Sequence, residues 1–291
     1  MILLIAVVSL QAVTAEKTVT DLLGRELVVT SHPVRIIALA PSITEIVFAL
    51  EQENRLVGVT QYSDFPEAAG RLPKVGSYVN LDLERIVSLR PDLCIGVKDG
   101  NPKDVVDRLD DLDIPVYVVN PKGLDSVMQT LAAIGGLLDV QAKADELIAA
   151  MQLRIDRVEQ TVQQAETRPR VFFQIGISPI VSVGTPTFIH ELIVRAGGRN
   201  VAEGSFAYPR YSREQVLGMQ PDVIVITSMA RFAIFQQVKS DWEQWPDIPA
   251  VKHGRIFMQD SNLFDRPTPR LVAGLELLAR LVHPELFEGE P

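Results

Sequence analysis

Two glutamates and a few loop aromatics are the residues whose types and spacing bear most directly on function. Glu84 and Glu214 open two segments, 84–97 and 214–227, that align without a gap, with Glu, Pro and Asp identical and the apolar positions largely matched. Each segment reads as a short helix, a Pro-Asp turn and a strand. With Asp82 and Ser212 as N-caps, each glutamate falls at the second helical position, where a carboxylate complements the helix dipole. The other use of the pair is docking, because one acidic point on each of two duplicated lobes suits a symmetric partner. Tyr62, Tyr78 and Tyr208 lie in loops, and in parallel α/β folds the loops after strand C-termini carry the ligand site. A tyrosine there offers a broad apolar face with a polar tip, suited to a large planar or amphipathic ligand; the alternative for each is loop packing. Arg266, in the polar loop 262–270, brings a fork of donors that fits an anionic or amide-bearing ligand edge, or else pairs with Asp265 or caps a helix.

Covalent chemistry has no such support. The chain carries no Gly-x-Gly-x-x-Gly, P-loop, His-Glu-x-x-His or Gly-x-Ser-x-Gly pattern. Its four histidines, His32, His190, His253 and His283, are scattered and none has metal-ligand spacing to another His or Cys. Cys94 is the only cysteine, sits in an apolar run and reads as a small core residue, so no intramolecular disulfide forms. These readings point to a binding protein with no catalytic cofactor rather than to an enzyme.

The elements that must position these residues follow from patterning. A chain of 291 residues exceeds the size at which one core stops growing, so two domains are expected. The net charge of −9 leaves no electrostatic footprint for nucleic acid. Residues 1–15 are an apolar run ending in Val-Thr-Ala, which predicts a secretory signal peptide. No cysteine follows that run, so a free periplasmic protein is expected. Short apolar strands alternate with helices over 16–124 and again over 169–291, predicting two Rossmann-like lobes with parallel, helix-covered sheets. The Ser42–Glu45 pattern predicts a capping box at one helix start. Between the lobes, 125–168 reads as linking helices. Within it 125–138 reads as a helix whose end Gly135-Gly136 weakens, and 141–166 lacks Gly and Pro and carries an apolar stripe, predicting a rigid spine helix of roughly 39 Å. Two lobes on a stiff spine leave a cleft, a preferred place for a ligand.

Several motifs carry a family resemblance: Arg-Ile-Ile-Ala-Leu-Ala-Pro-Ser-Ile-Thr-Glu (35–45), Tyr-Ser-Asp-Phe-Pro (62–66), Leu-Glu-Arg-Ile-Val-Ser-Leu-Arg-Pro-Asp-Leu (83–93), Gln-Ile-Gly-Ile-Ser-Pro (174–179), Tyr-Ser-Arg-Glu-Gln-Val (211–216) and Phe-Asp-Arg-Pro-Thr-Pro-Arg (264–270). Over residues 33–285 the chain resembles the helical-backbone binding proteins of ABC importers, which carry vitamin B12, ferric siderophores or haem. The last three motifs point to the corrinoid-binding branch. The resemblance implies two α/β lobes on a single linking helix and a cobalamin-type corrinoid bound without chemistry. It assigns ring-lining roles to Tyr62, Tyr78 and Tyr208 and a polar contact to Arg266. It implies that Glu84 and Glu214 meet arginines of a permease dimer at the inner membrane, and that the free protein is a monomer. Val97 stands where the family has an aromatic, Ile180 or Val181 where it has another, Asn262 where it has an acid, and two of the tyrosines where it has tryptophan. A siderophore or haem carrier is the alternative, with Arg210, Arg231 and Arg266 as its basic residues. An enzyme or metallocluster protein on related lobes would need clustered Cys or His ligands.

Overall fold

A computed structural model describes residues 15–227 and 232–287. Residues 1–14 of the expected signal peptide, and Arg231, lie outside the described residues. The chain packs as two compact units. The first takes the chain up to Thr44, with Gln52–Val119 and Leu137–Asp139; the second takes Glu45–Glu51, Asn120–Gly136 and the chain from Val140 onward.

The first unit opens with an antiparallel hairpin of β1 (Glu16–Thr20) and β2 (Glu26–Thr30). Asp21 shapes its turn by accepting the N–H groups of Leu23 and Arg25, and the Arg25 guanidinium donates to the Val116 carbonyl. The elements that follow are β3 (Ile36–Ala38), α1 (Pro41–Ala49, which belongs to this unit only up to Thr44), β4 (Leu56–Val59), β5 (Gly76–Ser77), β6 (Asn80–Leu81), α2 (Leu83–Ser88), β7 (Leu93–Val97), α3 (Lys103–Asp110) and β8 (Val116–Val119). The sheet order is β4-β3-β7-β8, all parallel. Strands β3, β7 and β8 are buried along their whole length, as a sheet covered on both faces requires.

The second unit contains α4 (Leu124–Leu137), α5 (Gln141–Val162), β9 (Arg170–Gly176), β10 (Ile180–Ser182), α6 (Phe188–Arg195), β11 (Arg199–Asn200), β12 (Arg210–Tyr211), α7 (Arg213–Met219), β13 (Val223–Thr227), α8 (Phe232–Glu243), α9 (Pro249–Lys252), β14 (Ile256–Gln259) and α10 (Leu271–Val282). Its parallel strands run β11-β9-β13-β14. In chain order that is second, first, third, fourth, the same arrangement as in the first unit. The sheet is nevertheless mixed rather than purely parallel, because the Ser178-Pro179 turn folds β10 back antiparallel onto β9, and β12 adds antiparallel to β10.

Two local expectations are corrected, at the end of α5 and at the start of α1. Helix α5 stops at Val162, since Gln163–Glu166 offers almost no apolar surface to bury. As expected, Gly135 and Gly136 fall within the end of α4; a Cβ on Gly135 would lie 2.5 Å from the Ala144 Cβ, so the glycine permits close approach of α4 and α5. Helix α1 starts at Pro41, which places Ser42 inside the helix, and the Glu45 carboxylate serves two arginines rather than a cap.

The sequence repeat is also a structural one. Helices α2 and α7 each end in a left-handed residue, Arg90 (φ 48) and Gln220 (φ 49), just before Pro91 and Pro221. Asp92 and Asp222 then accept the main-chain N–H of Arg35 and Arg170, where β3 and β9 begin. Each aspartate returns its own N–H to the carbonyl of the same arginine. One turn thus fixes the register of the central strand in both units.

Candidate functional site

In the first unit the strand order reverses between β3 and β7, and ligands of open α/β sheets bind at the C-terminal side of such a switch point. Val97 ends β7 there and is buried. Tyr62 follows β4 and Tyr78 lies between β5 and β6; both are exposed, and their rings meet edge to face at 6.3 Å. Asn101, which follows the turn after β7, ties this place together. Its Oδ1 accepts the Val97 N–H at 2.7 Å, and its Nδ2 donates to the carbonyls of Leu39, at the end of β3, and Tyr78. Gly100 (φ 148) lets the Tyr78 ring come close, since a Cβ there would lie 3.0 Å from it. Sequence reasoning missed Asn101, because Asp-Gly-Asn reads as an ordinary turn. It also missed the buried hydroxyl chain Thr44–Ser63–Thr60, with oxygens 2.8 and 3.0 Å apart, which anchors the Tyr62 loop. Lys74 holds the same loop by donating to the carbonyls of Ser63 and Ala69, and burial draws its pKa below the usual lysine range.

In the second unit Val181, half-buried on β10, pairs with Arg210 of β12 and with Gly176 of β9. Tyr208 is exposed just before β12. It stands 130 residues after Tyr78, and each tyrosine precedes its glutamate by six positions, so the repeat reaches back to the aromatics. Asn262 is exposed in a single helical turn at 261–263, whose N-cap Asp260 accepts its N–H. Arg266 is largely buried, its side chain 16% exposed, and donates to Glu45 at 3.1 Å. Arg270 grips the same carboxylate at 2.6 and 2.8 Å, and the Glu45 side chain is only 3% exposed. The partner of Arg266 is therefore Glu45, 221 positions away, and not only a neighbour in its own loop. Among the described residues, no group of three or more His, Cys, Asp and Glu is placed to hold a metal ion. No helix among them is long and apolar enough to cross a membrane.

Glu84 and Glu214 are both exposed at the second position of α2 and α7. Asp82 caps α2 by accepting the Arg85 N–H, and Ser212 with Gln215 forms a full capping box on α7. Hydrogen bonds from the N–H of Glu214 itself and from Ser212 hold the Glu214 carboxyl below the usual range. The helix-start role thus has a geometric basis at Glu214, and the exposure of both carboxylates leaves them accessible to a partner.

A family model described as periplasmic binding protein matches residues 36–263. A vitamin B12-binding protein of Vibrio vulnificus is 31% identical over 248 residues, which is 83% of this chain and 87% of that protein. The solved periplasmic vitamin B12 binding protein of Vibrio cholerae is 28% identical with a TM-score of 0.76, covering 88% of this chain and 98% of that one. A periplasmic haem-binding protein from Pseudomonas aeruginosa is 27% identical with a TM-score of 0.78, covering 87% and 93%. Two α/β units of one strand order, a duplicated aspartate-keyed turn and these matches lead to one conclusion: the chain belongs to the periplasmic binding protein family, as a solute-binding component of an ABC importer.

Proposed function

We propose that this protein captures a corrinoid of the vitamin B12 type and delivers it to the permease without chemical change. Tyr62, Tyr78 and Val97 of the first unit, and Val181, Tyr208, Asn262 and Arg266 of the second, are assigned to the ligand. The observation that carries the reading is the placement of Tyr78 and Tyr208 at equivalent positions of the two units, both exposed and each six residues before its glutamate. Exposed tyrosine rings on anchored loops suit the flat face of a macrocycle, and their hydroxyls suit its amide rim. The B12-binding relatives support a corrin ring. A porphyrin is the second reading, because solved haem-binding proteins align over a similar share of the chain. Glu84 and Glu214 are assigned to the permease, a dimer whose two subunits each present basic side chains. The free protein is proposed to be a monomer, exported through residues 1–15.

Calorimetric titration of the purified protein with cyanocobalamin, haemin and a ferric siderophore separates the ligand readings. Saturable cobalamin binding at micromolar protein is expected, and its absence sinks the corrinoid assignment. The double variant Glu84→Ala, Glu214→Ala is expected to keep ligand affinity and to abolish uptake. Loss of ligand binding or of the fold in that variant would return both glutamates to a purely helix-capping role.

A further inference from the structure

The most exposed large hydrophobic side chain among the described residues is one the ligand assignment does not use. Phe206, two residues before Tyr208, is 78% exposed, against 57% for Tyr208 itself. Unlike a tyrosine, it has no hydroxyl to hydrate. Its backbone is held at several points. The β10–β12 pairing continues beyond β12 in the same register, with the Ser182 N–H donating to the Pro209 carbonyl and the Gly184 N–H to the Ala207 carbonyl. Thr185 clasps Gly204 in both directions: its N–H donates to the Gly204 carbonyl, and its hydroxyl accepts the Gly204 N–H. Gly184 is required for this approach, since a Cβ there would lie 1.9 Å from the Phe206 carbonyl oxygen.

Burial alternates along the segment. Phe206, Tyr208 and Arg210 are exposed, whereas Ala207, Pro209 and Tyr211 are half-buried. Tyr211 packs edge to face on the core residue Phe172 at 6.1 Å. Alternation of this kind puts every second side chain on the side away from the core. Phe206, Tyr208 and Arg210 therefore form one outward stripe: two ring faces followed by a guanidinium, on a backbone that is already ordered.

We propose that Phe206 and Arg210 bind ligand together with Tyr208, the two rings against the flat face of a tetrapyrrole-type macrocycle and the Arg210 guanidinium on amide or carboxylate groups at its rim. Arg210 supplies donors in a fixed fork, and the rings supply apolar area with little side-chain entropy to lose. The inference rests on the reading of Tyr208 as ligand-facing, and it extends that surface by one aromatic and one cation.

The test titrates wild type, Phe206→Ala, Phe206→Leu, Arg210→Gln and the control Leu153→Ala with cyanocobalamin and with haemin, after circular dichroism confirms each fold. Leu153 is an exposed apolar residue on α5, away from this stripe in sequence and element. Phe206→Ala is expected to weaken the ligand that binds by about tenfold, the range of an anchoring aromatic. Phe206→Leu, which keeps apolar volume but loses the ring, should fall between, and Leu153→Ala should match wild type. Arg210→Gln should weaken binding severalfold. The two titrants separate a corrin from a porphyrin. If wild type binds haemin and not cobalamin, the corrinoid reading fails while the stripe is tested on haemin. If a macrocycle binds wild type and both Phe206→Ala and Arg210→Gln stay within twofold, the stripe is overturned while the ligand reading stands. Binding of neither macrocycle overturns both.

Discussion

The two units share one template and decorate it differently. Each places its four parallel strands in the order second, first, third, fourth, and each keys its central strand with an aspartate after a left-handed residue and a proline. The connection that leads to the glutamate helix diverges. In the first unit it is closed by the separate two-residue ladder β5–β6, and Tyr78 is steadied by Asn101 and Gly100. In the second it joins the main sheet through β12 and β10, and Tyr208 is carried on that ladder. The duplication thus keeps the strand order and the keying turn and leaves the segment before the helix to vary.

The largest expected effect tests how the units are stabilised locally. Thr44 and Glu45 are adjacent on α1 yet belong to different units. Thr44 donates or accepts within a neutral hydroxyl chain, whereas Glu45 is a buried carboxylate clamped by Arg266 and Arg270. Removing one partner of a buried ion pair leaves the others uncompensated, so Glu45→Ala should lower unfolding free energy by about 3–5 kcal/mol. Thr44→Val breaks a neutral bond and should cost about 1–2 kcal/mol. Urea unfolding measures both, and equal costs would show that the clamp adds nothing over the hydroxyl chain.

The next effect separates the two keying aspartates. Asp92 uses both carboxylate oxygens on main-chain donors, Val34 and Arg35, while Arg35 itself donates to the carbonyls of Leu89 and Arg90. Asp222 accepts from the Arg170 N–H and from the Arg170 guanidinium. Asp92→Asn and Asp222→Asn should each cost about 1–2 kcal/mol, the lower range for charge-assisted bonds because the groups are partly exposed. Their pH behaviour should differ from wild type at Asp222. Burial pushes that carboxyl up, but the Arg170 bonds outweigh it and hold the pKa below the usual range. Its stabilising contribution is therefore present above the unfolded carboxylate value, near pH 4, and lost as pH falls through the lower folded value. Asp222→Asn should flatten that part of the acid limb in thermal melts taken from pH 5 to pH 2.

The smallest effect concerns the residue before each proline. Arg90 and Gln220 hold left-handed backbone that costs an L-residue energy and glycine none. Arg90→Gly should raise stability by up to about 1 kcal/mol. Gln220→Gly should gain less, because the Gln220 side chain also donates to the Leu217 carbonyl. A loss at both sites would mean that the unfolded-chain entropy of glycine dominates the turn.

The sequence-legible part of the fold was whatever repeats locally. Apolar runs mark β4, β7, β8, β9 and β13 in the sequence itself, and the Glu84 and Glu214 segments reveal the duplicated turn. What stayed hidden depends on distant partners. The β1–β2 hairpin is secured by Arg25 to Val116 and by Lys17 to Leu137 and Asp139, contacts about a hundred positions apart that leave no local period. Helix α8 and the antiparallel turn of β10 were likewise not anticipated. At the candidate site, Tyr62, Tyr78 and Tyr208 were legible because aromatics in polar loops stand out. Glu45 was not, because a glutamate three positions into a helix reads as a cap until its arginines, over 220 positions away, are known. Phe206 was missed because a phenylalanine beside a tyrosine gives no sign of which ring is exposed.

Cys94 has a practical consequence. Its thiol is buried in β7, and burial raises its pKa well above the usual thiol range, so at neutral pH it is neither ionised nor reachable. The protein is therefore chemically silent toward maleimides as it stands. A cysteine introduced at exposed Ser205, beside the Phe206–Arg210 stripe, would be the single labelling point of the folded chain. If the stripe binds ligand as proposed, an environment-sensitive fluorophore attached there would report ligand arrival directly, and would turn this binding protein into an optical sensor without removal of its native cysteine.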